Sequence, residues 1–340
     1  MKNFFRIQSL HKKIGAAFFC ALLSCFISIY AEEGSYDIPP SIRFTLEKEE
    51  STGNFPLVYY LSYPQEGEAS YPIFVLCDGS EYKGGEGSVY HVRKFFEQKV
   101  GELHAGYLTV EKYGIDGNQK DLQQFWQNYT VSQRLKDHLQ VISYIEKNPP
   151  IGWNGKFIFA GIAEGALIAT DLSLLLSDNT LATVNWSAAP NYAWDDHLWN
   201  FLAEDKKVSL SRKIQDAMPR WTPFSSDVPS NRDDFDILFH KALANPTSDH
   251  WFAGLTYLYH ADALQRATVD PTKIKKPFLL VSGTKDCIIE SCDQFAKEGW
   301  EAGAPITYFR IEGMDHYIRK HPDVINQSFD WLKTCIDNAK

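Results

Sequence analysis

Lys156-Phe157-Ile158-Phe159-Ala160-Gly161-Ile162-Ala163-Glu164-Gly165-Ala166-Leu167-Ile168-Ala169 decides how this chain is read. Phe157 to Ala160 is an apolar run of strand length, and Ala166 onward repeats apolar residues as a helix does. Between them Gly161 and Gly165 bracket three residues. A strand that turns this sharply into a helix presses the two elements together, so both flanks of the turn must be small.

The arrangement is the strand–turn–helix context of G-x-S-x-G, in which a serine on a strained turn exposes its hydroxyl. Here the central position is Ala163, and a methyl group cannot attack a carbonyl. Glycines four apart also occur in turns that carry no site, so the meaning of the stretch depends on what surrounds it.

Upstream, Pro72-Ile73-Phe74-Val75-Leu76-Cys77 is a continuous apolar run, as expected of a central strand covered on both faces. It ends in Asp78-Gly79-Ser80-Glu81, followed by Gly84-Gly85-Glu86-Gly87-Ser88. A glycine-rich loop after a buried strand lets backbone N–H groups approach a ligand closely. Downstream, a strand over Lys276 to Val281 ends in Ser282-Gly283-Thr284-Lys285-Asp286. A last strand, Ile306 to Ile311, leads into Glu312-Gly313-Met314-Asp315-His316. Turn, acid, then histidine is the Ser…Asp…His order of one hydrolase architecture. In that order Asp286 orients and charge-balances the imidazole, and His316 is the general base. The N–H groups of Ser80 or Glu81, and of Glu164, are the matching oxyanion donors. Ser80 and Ser88 are alternative hydroxyls on the glycine-rich loop, although neither has the strand–turn–helix context.

Through Gly161-Ile162-Ala163-Glu164-Gly165, Val281-Ser282-Gly283-Thr284-Lys285-Asp286 and Ile311-Glu312-Gly313-Met314-Asp315-His316, the chain resembles secreted bacterial α/β-hydrolases of the dienelactone-hydrolase and prolyl-oligopeptidase-like group. The resemblance spans about residues 55–335. It implies an α/β-hydrolase fold, with a mostly parallel central sheet flanked by helices. It also implies an ancestry in ester or peptide hydrolysis. Ala163 is the departure, and it leaves three accounts open: a natural pseudoenzyme that binds without turnover, an inactivated form of a serine hydrolase, or base catalysis by His316 and Asp286 without a protein nucleophile.

The remaining patterns fill in the frame. Ser41 to Lys48 and Leu57 to Tyr63 alternate apolar and polar residues and predict half-buried antiparallel strands. Ala105 to Val110 and Thr180 to Val184 predict further strands. Tyr129 to Ile145 and Val324 to Ile336 carry helical periodicity. From Trp186 to Thr272 the texture changes: five of the nine tryptophans fall there, among helical stretches broken by Pro, Ser, Asn and Asp. This predicts a helical, aromatic-rich lid insertion over residues 186–272, with the core domain formed by 32–185 and 273–340.

Composition bounds the rest. The chain has 340 residues, 44% of them hydrophobic, enough for a large core. Its formal charge of −9 argues against a nucleic-acid partner. Lys2, Arg6, His11, Lys12 and Lys13 precede an uncharged apolar run from Ile14 to Ile29. That run is shorter than the ~20 residues of a membrane span. It predicts a signal peptide over residues 1–31, cleaved after Ala31, and a secreted, periplasmic or cell-envelope protein with no membrane span after cleavage. Leu22-Leu23-Ser24-Cys25 also resembles a lipobox, which leaves a lipid anchor at Cys25 open. Cys77, Cys287, Cys292 and Cys335 remain after cleavage, and Cys287 with Cys292 is the favoured disulfide pair. No C-x-x-C or histidine-rich spacing points to a metal, and no cofactor is expected. The expected partner is a small-molecule ester or a peptide-like ligand.

Overall fold

A computed structural model describes residues 37–48, 55–64, 70–80, 87–207, 229 and 231–339. The expected signal segment over residues 1–31, Cys25 and Glu81 lie outside the described residues. In chain order, β1 (Arg43–Leu46), β2 (Leu57–Ser62) and β3 (Tyr71–Cys77) are followed by α1 (Val89–Glu102) and β4 (Gly106–Val110). Next come a short ribbon of β5 (Ile115–Asp116) and β6 (Gln119–Lys120), then α2 (Leu122–Asn128), α3 (Val131–Lys147), β7 (Trp153–Ile162), α4 (Glu164–Leu175) and β8 (Thr180–Trp186). Then follow α5 (Trp194–Lys207), α6 (Arg232–Ala244), the ribbon of β9 (Trp251–Phe252) and β10 (Leu255–Thr256), and α7 (Tyr257–Gln265). The chain closes with β11 (Phe278–Gly283), α8 (Ile289–Glu301), β12 (Ile306–Ile311) and α9 (Pro322–Asn338).

The described residues build an eight-stranded sheet in the order β1-β2-β4-β3-β7-β8-β11-β12. β2 runs antiparallel to β1 and β4, and the other neighbouring strands are parallel. Successive residues of a strand face opposite sides, and both sides are covered here. Ile73, Val75, Phe157 and Phe159 pack with Val141 and Ile142 of α3 and Ile168 and Leu172 of α4. Phe74, Leu76, Ile158 and Ala160 pack with Phe96 of α1 and Phe329 and Leu332 of α9. Two-sided cover is why β3 and the core of β7 read as unbroken apolar runs.

β2 departs from its pattern. The alternation predicts one wet face, yet Leu57 through Leu61 are all buried. The polar-looking positions include Tyr59 and Tyr60, and tyrosine can bury its ring if the hydroxyl finds a partner. Tyr59 stacks on Phe44 at 5.4 Å. Tyr60 meets Tyr90 of α1 at 5.1 Å and donates its hydroxyl to Glu111 at 2.9 Å.

Trp186, where the sequence texture changes, is the last residue of β8. Its ring stacks on Phe96 at 5.4 Å and its N–H donates to Ser328 of α9 at 3.1 Å, so it belongs to the sheet's core. Beyond it, Leu198, Leu202, Phe235, Phe239 and Phe252 form a separate apolar cluster joining α5, α6 and the β9–β10 ribbon.

The favoured Cys287–Cys292 disulfide is not formed; all four described cysteines are free thiols. Cys292 turns inward from α8 to the carbonyl of Ala188 at 3.6 Å, whereas the Cys287 thiol lies 3.7 Å from Asp286 Oδ1. Burial pushes the Cys77 thiol up to about 12 and Cys292 up as well. Among the described residues, no helix is long and apolar enough to cross a membrane.

Candidate functional site

The site begins with two close approaches. A β-carbon on Gly161 would come within 2.2 Å of the Gly165 carbonyl, and one on Gly165 within 2.1 Å of the Cys77 carbonyl. The start of α4 therefore nests against the ends of β7 and β3, as only glycine permits. Between them Ala163 is held at φ 49°, ψ −119°, a strained conformation for a residue with a β-carbon. Its N–H donates to Trp186 O at 2.9 Å and its carbonyl accepts from Ala166 at 2.9 Å, so the turn is fixed by backbone bonds.

A second pair of loops, after β11 and β12, is laced in the same way. A β-carbon on Gly283 would sit 2.0 Å from the Met314 carbonyl. Lys285 N–H donates to that carbonyl at 3.0 Å, and Gly313 N–H donates to Thr284 Oγ1 at 2.9 Å. The lacing brings together two residues 30 positions apart: His316 Nδ1 lies 3.0 and 3.1 Å from the two carboxylate oxygens of Asp286. Asp286 is buried, and Oδ1 also accepts the Ile288 N–H at 3.4 Å. A carboxylate can only accept, so the proton of a neutral His316 resides on Nδ1 and the lone pair on Nε2.

Ala163, Glu164, Ser80 and His316 line one cavity of about 150 Å³ at the carboxyl ends of the parallel strands. Open parallel sheets characteristically bind ligands there. Tyr192, Trp194, His197 and Phe201, on or just before α5, supply one wall. Of the expected site residues, the structure thus gathers Ser80, Ala163, Glu164 and His316, with Asp286 behind the histidine. Glu81 lies outside the described residues. Ser88 is not available as an alternative hydroxyl: it caps α1, accepting the Tyr90 N–H at 3.0 Å, and donates its own proton to buried Glu111. Gly79 N–H is occupied by Asp78 Oδ1 at 2.8 Å.

Sequence reasoning valued Glu164 only for its N–H, but its side chain organises the back of the site. The carboxylate is 2% exposed and pairs with Arg134 of α3 at 2.5 Å. Tyr129 and Tyr259 donate their hydroxyls to its other oxygen at 3.0 and 2.7 Å. The second arm of Arg134 donates to the Asp78 carbonyl at 2.7 Å. Burial, with the carboxylate beside them, pushes both tyrosine hydroxyls far up, so they stay protonated as donors. One signal was present in the sequence. Arg134, Asp137 and His138 share the helical face of Val131, Val141 and Ile142, and charged groups on a buried face are there to meet partners.

His197 was also missed. It stacks on Trp194 at 5.7 Å, and its ring centre lies 6.3 Å from that of His316. Burial first, and then the neighbouring His316, holds its imidazole down to about 4. Among the described residues, no group of three or more His, Cys, Asp or Glu could hold a metal ion.

No family model and no curated protein matches the sequence. Solved structures do resemble it. Est1E from Butyrivibrio proteoclasticus is 15% identical, with a TM-score of 0.53 over 87% of this chain and 99% of that one. A thermostable carboxyl esterase from Bacillus coagulans is 13% identical, with a TM-score of 0.56 over 87% and 98%. Proline iminopeptidase from Mycobacterium smegmatis is 13% identical, with a TM-score of 0.55 over 88% and 100%. At such identities the likeness speaks for architecture alone, and with the mostly parallel sheet and flanking helices it shows that the chain has the α/β-hydrolase fold.

Proposed function

We propose that this chain is a secreted or envelope-associated relative of serine ester and peptide hydrolases, with a Ser–Asp–His frame in which Ala163 occupies the nucleophile position. The observation that carries the reading is the Asp286–His316 pair at 3.0 Å, with His316 on the same cavity as the strained turn at Ala163. With serine at 163, the hydroxyl would pass its proton to His316 Nε2 while attacking a carbonyl carbon. Asp286 would balance the imidazolium, and N–H groups of Glu164 and of Ser80 or Glu81 would receive the oxyanion. Water would then release the acyl group by the same proton path. With Ala163 no acyl-enzyme forms. Loss of the nucleophile costs about 10⁶ in turnover, while binding and oxyanion stabilisation leave ~10³–10⁴ over water. Residues 186–272, apart from Trp186 that ends β8, act in this reading as an aromatic lid over a small-molecule ester or peptide-like ligand. Tyr192, Trp194 and His197 on the cavity wall support it.

The alanine itself favours a second reading, a binding protein that keeps the pocket without turnover. Hydrolysis of a short-chain p-nitrophenyl ester by the mature chain and by Ala163→Ser separates the two. Turnover by the Ala163→Ser chain alone is the expected result for a frame that lacks only its nucleophile. Turnover by the unmodified chain that His316→Ala abolishes would indicate water activation by His316. A silent Ala163→Ser chain over a panel of esters and peptide anilides would overturn the hydrolase reading in favour of binding.

A further inference from the structure

Among the described residues, the wall of the cavity carries two formally charged side chains, Glu164 and Arg266, and both are committed inside the protein. Glu164 is held by Arg134, Tyr129 and Tyr259. Arg266 grips the carboxylate of Asp171 with Nε and Nη2 at 2.9 and 2.7 Å. Asp286, behind the wall, has a fully buried side chain turned to His316. A ligand with a net charge would therefore leave water for a small space whose described wall offers it no uncommitted counter-ion. Neutral dipoles such as backbone N–H groups would offset its desolvation only in part.

Among the described residues, the polar capacity that remains is uncharged. The contacts of His197 among the described residues are with rings: parallel to Trp194 at 5.7 Å, edge-on to Tyr192 at 5.8 Å, and beside His316. Held neutral by its surroundings, its imidazole presents one N–H and one lone pair. Tyr192, Trp194 and Phe201 add flat apolar surface around it. A cavity of about 150 Å³ is of the size that admits a benzene-sized group.

We infer that this cavity selects compact, uncharged ligands that combine a flat apolar face with a hydrogen-bonding group, and that His197 is the polar anchor that orients them. The inference rests on reading the cavity as the ligand site. It goes further by excluding substrates with an ammonium or carboxylate next to the reacting bond, such as the first residue of a free peptide.

The test needs no turnover. Benzamide, benzoate and benzamidinium are nearly isosteric and differ in charge. Their affinities for the unmodified mature chain are measured by calorimetry or ligand-observed NMR. Benzamide is expected to bind at least about ten-fold more tightly than either ion. In His197→Phe benzamide should weaken about five- to ten-fold, as for one lost neutral hydrogen bond, while toluene keeps its affinity. His197→Gln should restore part of the benzamide affinity. Equal or tighter binding of either ion, no binding of benzamide, or unchanged benzamide affinity in His197→Phe would each overturn the inference. If the variants do not fold, the ranking of the three ligands on the unmodified chain decides. A correct ranking with a silent Ala163→Ser chain would remove the hydrolase reading and leave this one standing; active Ala163→Ser with the wrong ranking would do the reverse.

Discussion

Arg134 and Glu164 face each other at 2.5 Å with side chains only 4% and 2% exposed, and the same guanidinium reaches the Asp78 carbonyl at 2.7 Å. One side chain thus holds the loop after β3 against the turn after β7, the two stretches that border Ala163. Removing one partner of a buried pair strands the other charge. Arg134→Met should therefore cost about 3–5 kcal/mol in urea unfolding. Tyr259→Phe removes one of the two tyrosine hydroxyls that donate to Glu164 and should cost about 1 kcal/mol. A loss for Arg134→Met no greater than that for Tyr259→Phe would show that the pair does not hold the loops.

The glycines of the turn admit no side chain. At Gly161 and Gly165 an added methyl would meet backbone atoms at 2.2 and 2.1 Å, which cannot swing aside as a side chain can. Gly165→Ala should cost more than about 3 kcal/mol, at the upper end of single-substitution effects. Gly303→Ala is the control, since nothing lies within 4 Å of its site and only its positive φ of 72° is strained. Thermal melts of the two variants make the comparison, and equal losses would contradict the close approach.

Ala163 should invert a common rule. Alanine to glycine ordinarily destabilises through the freedom that glycine gains in the unfolded chain, by about 0.4–1 kcal/mol. At φ 49°, ψ −119° the native backbone is itself strained, by about 1–3 kcal/mol for a non-glycine residue. Ala163→Gly should thus leave stability unchanged or raise it by up to about 1 kcal/mol, measured by denaturant unfolding. A clear loss would mean the turn is relaxed with alanine. Ala163→Ser keeps the same backbone demand and should change stability by less than about 0.5 kcal/mol.

Acid should weaken the fold through buried neutral histidines. His260 accepts the Trp194 N–H on Nδ1 at 3.1 Å and donates from Nε2 to the Phe252 carbonyl at 2.9 Å, leaving no place for a second proton. Burial holds it down to about 3, and His138, which donates to the Arg134 carbonyl, down to about 4. The unfolded chain takes up these protons near pH 6.5 while the folded chain does not, so stability falls as pH drops from about 6.5 towards 4. Each group contributes at most about 1.4 kcal/mol per pH unit in that window. Burial raises the carboxyls of Glu111, Asp137 and Asp171, which opposes the trend once they begin to protonate. Urea midpoints at pH 7.5, 6.5 and 5.5 should decline across the lower step; a flat series would show that the buried histidines do not govern the acid response.

What could be read from the sequence was what local chemistry obliges. Gly161 and Gly165 had to be small because a strand and a helix meet there, and Asp286 and His316 each lie in the loop that follows a recognisable strand. The structure brings that acid and base within hydrogen-bonding distance. Groups whose partners are distant in sequence were not legible. Arg134 and Glu164 lie on separate helices, and nothing in either local stretch announces the other. Tyr59 and Tyr60 imitated the polar positions of an alternating strand because pattern reading takes a hydroxyl as wet. The pairing of Cys287 with Cys292 was inferred from spacing, but Cys292 faces the core while Cys287 lies beside Asp286. His197 had no motif to mark it; its place depends on how α5 meets the ends of the strands.

The sheet order sets a sequence of events for synthesis. β8 and β11 are neighbours in the sheet, yet residues 187–277 lie between them in the chain. A ribosome releases β3, β7 and the turn at Ala163 well before it releases β11 and β12. Closing so long a loop adds little entropic cost beyond that of a short one, but it cannot happen until the far strand exists. Asp286 and His316 both follow that seam. A nascent or truncated chain ending before residue 278 would carry the turn and a partial sheet with neither the acid nor the base. Whatever reactivity the completed site has is withheld until the last fifth of the chain docks.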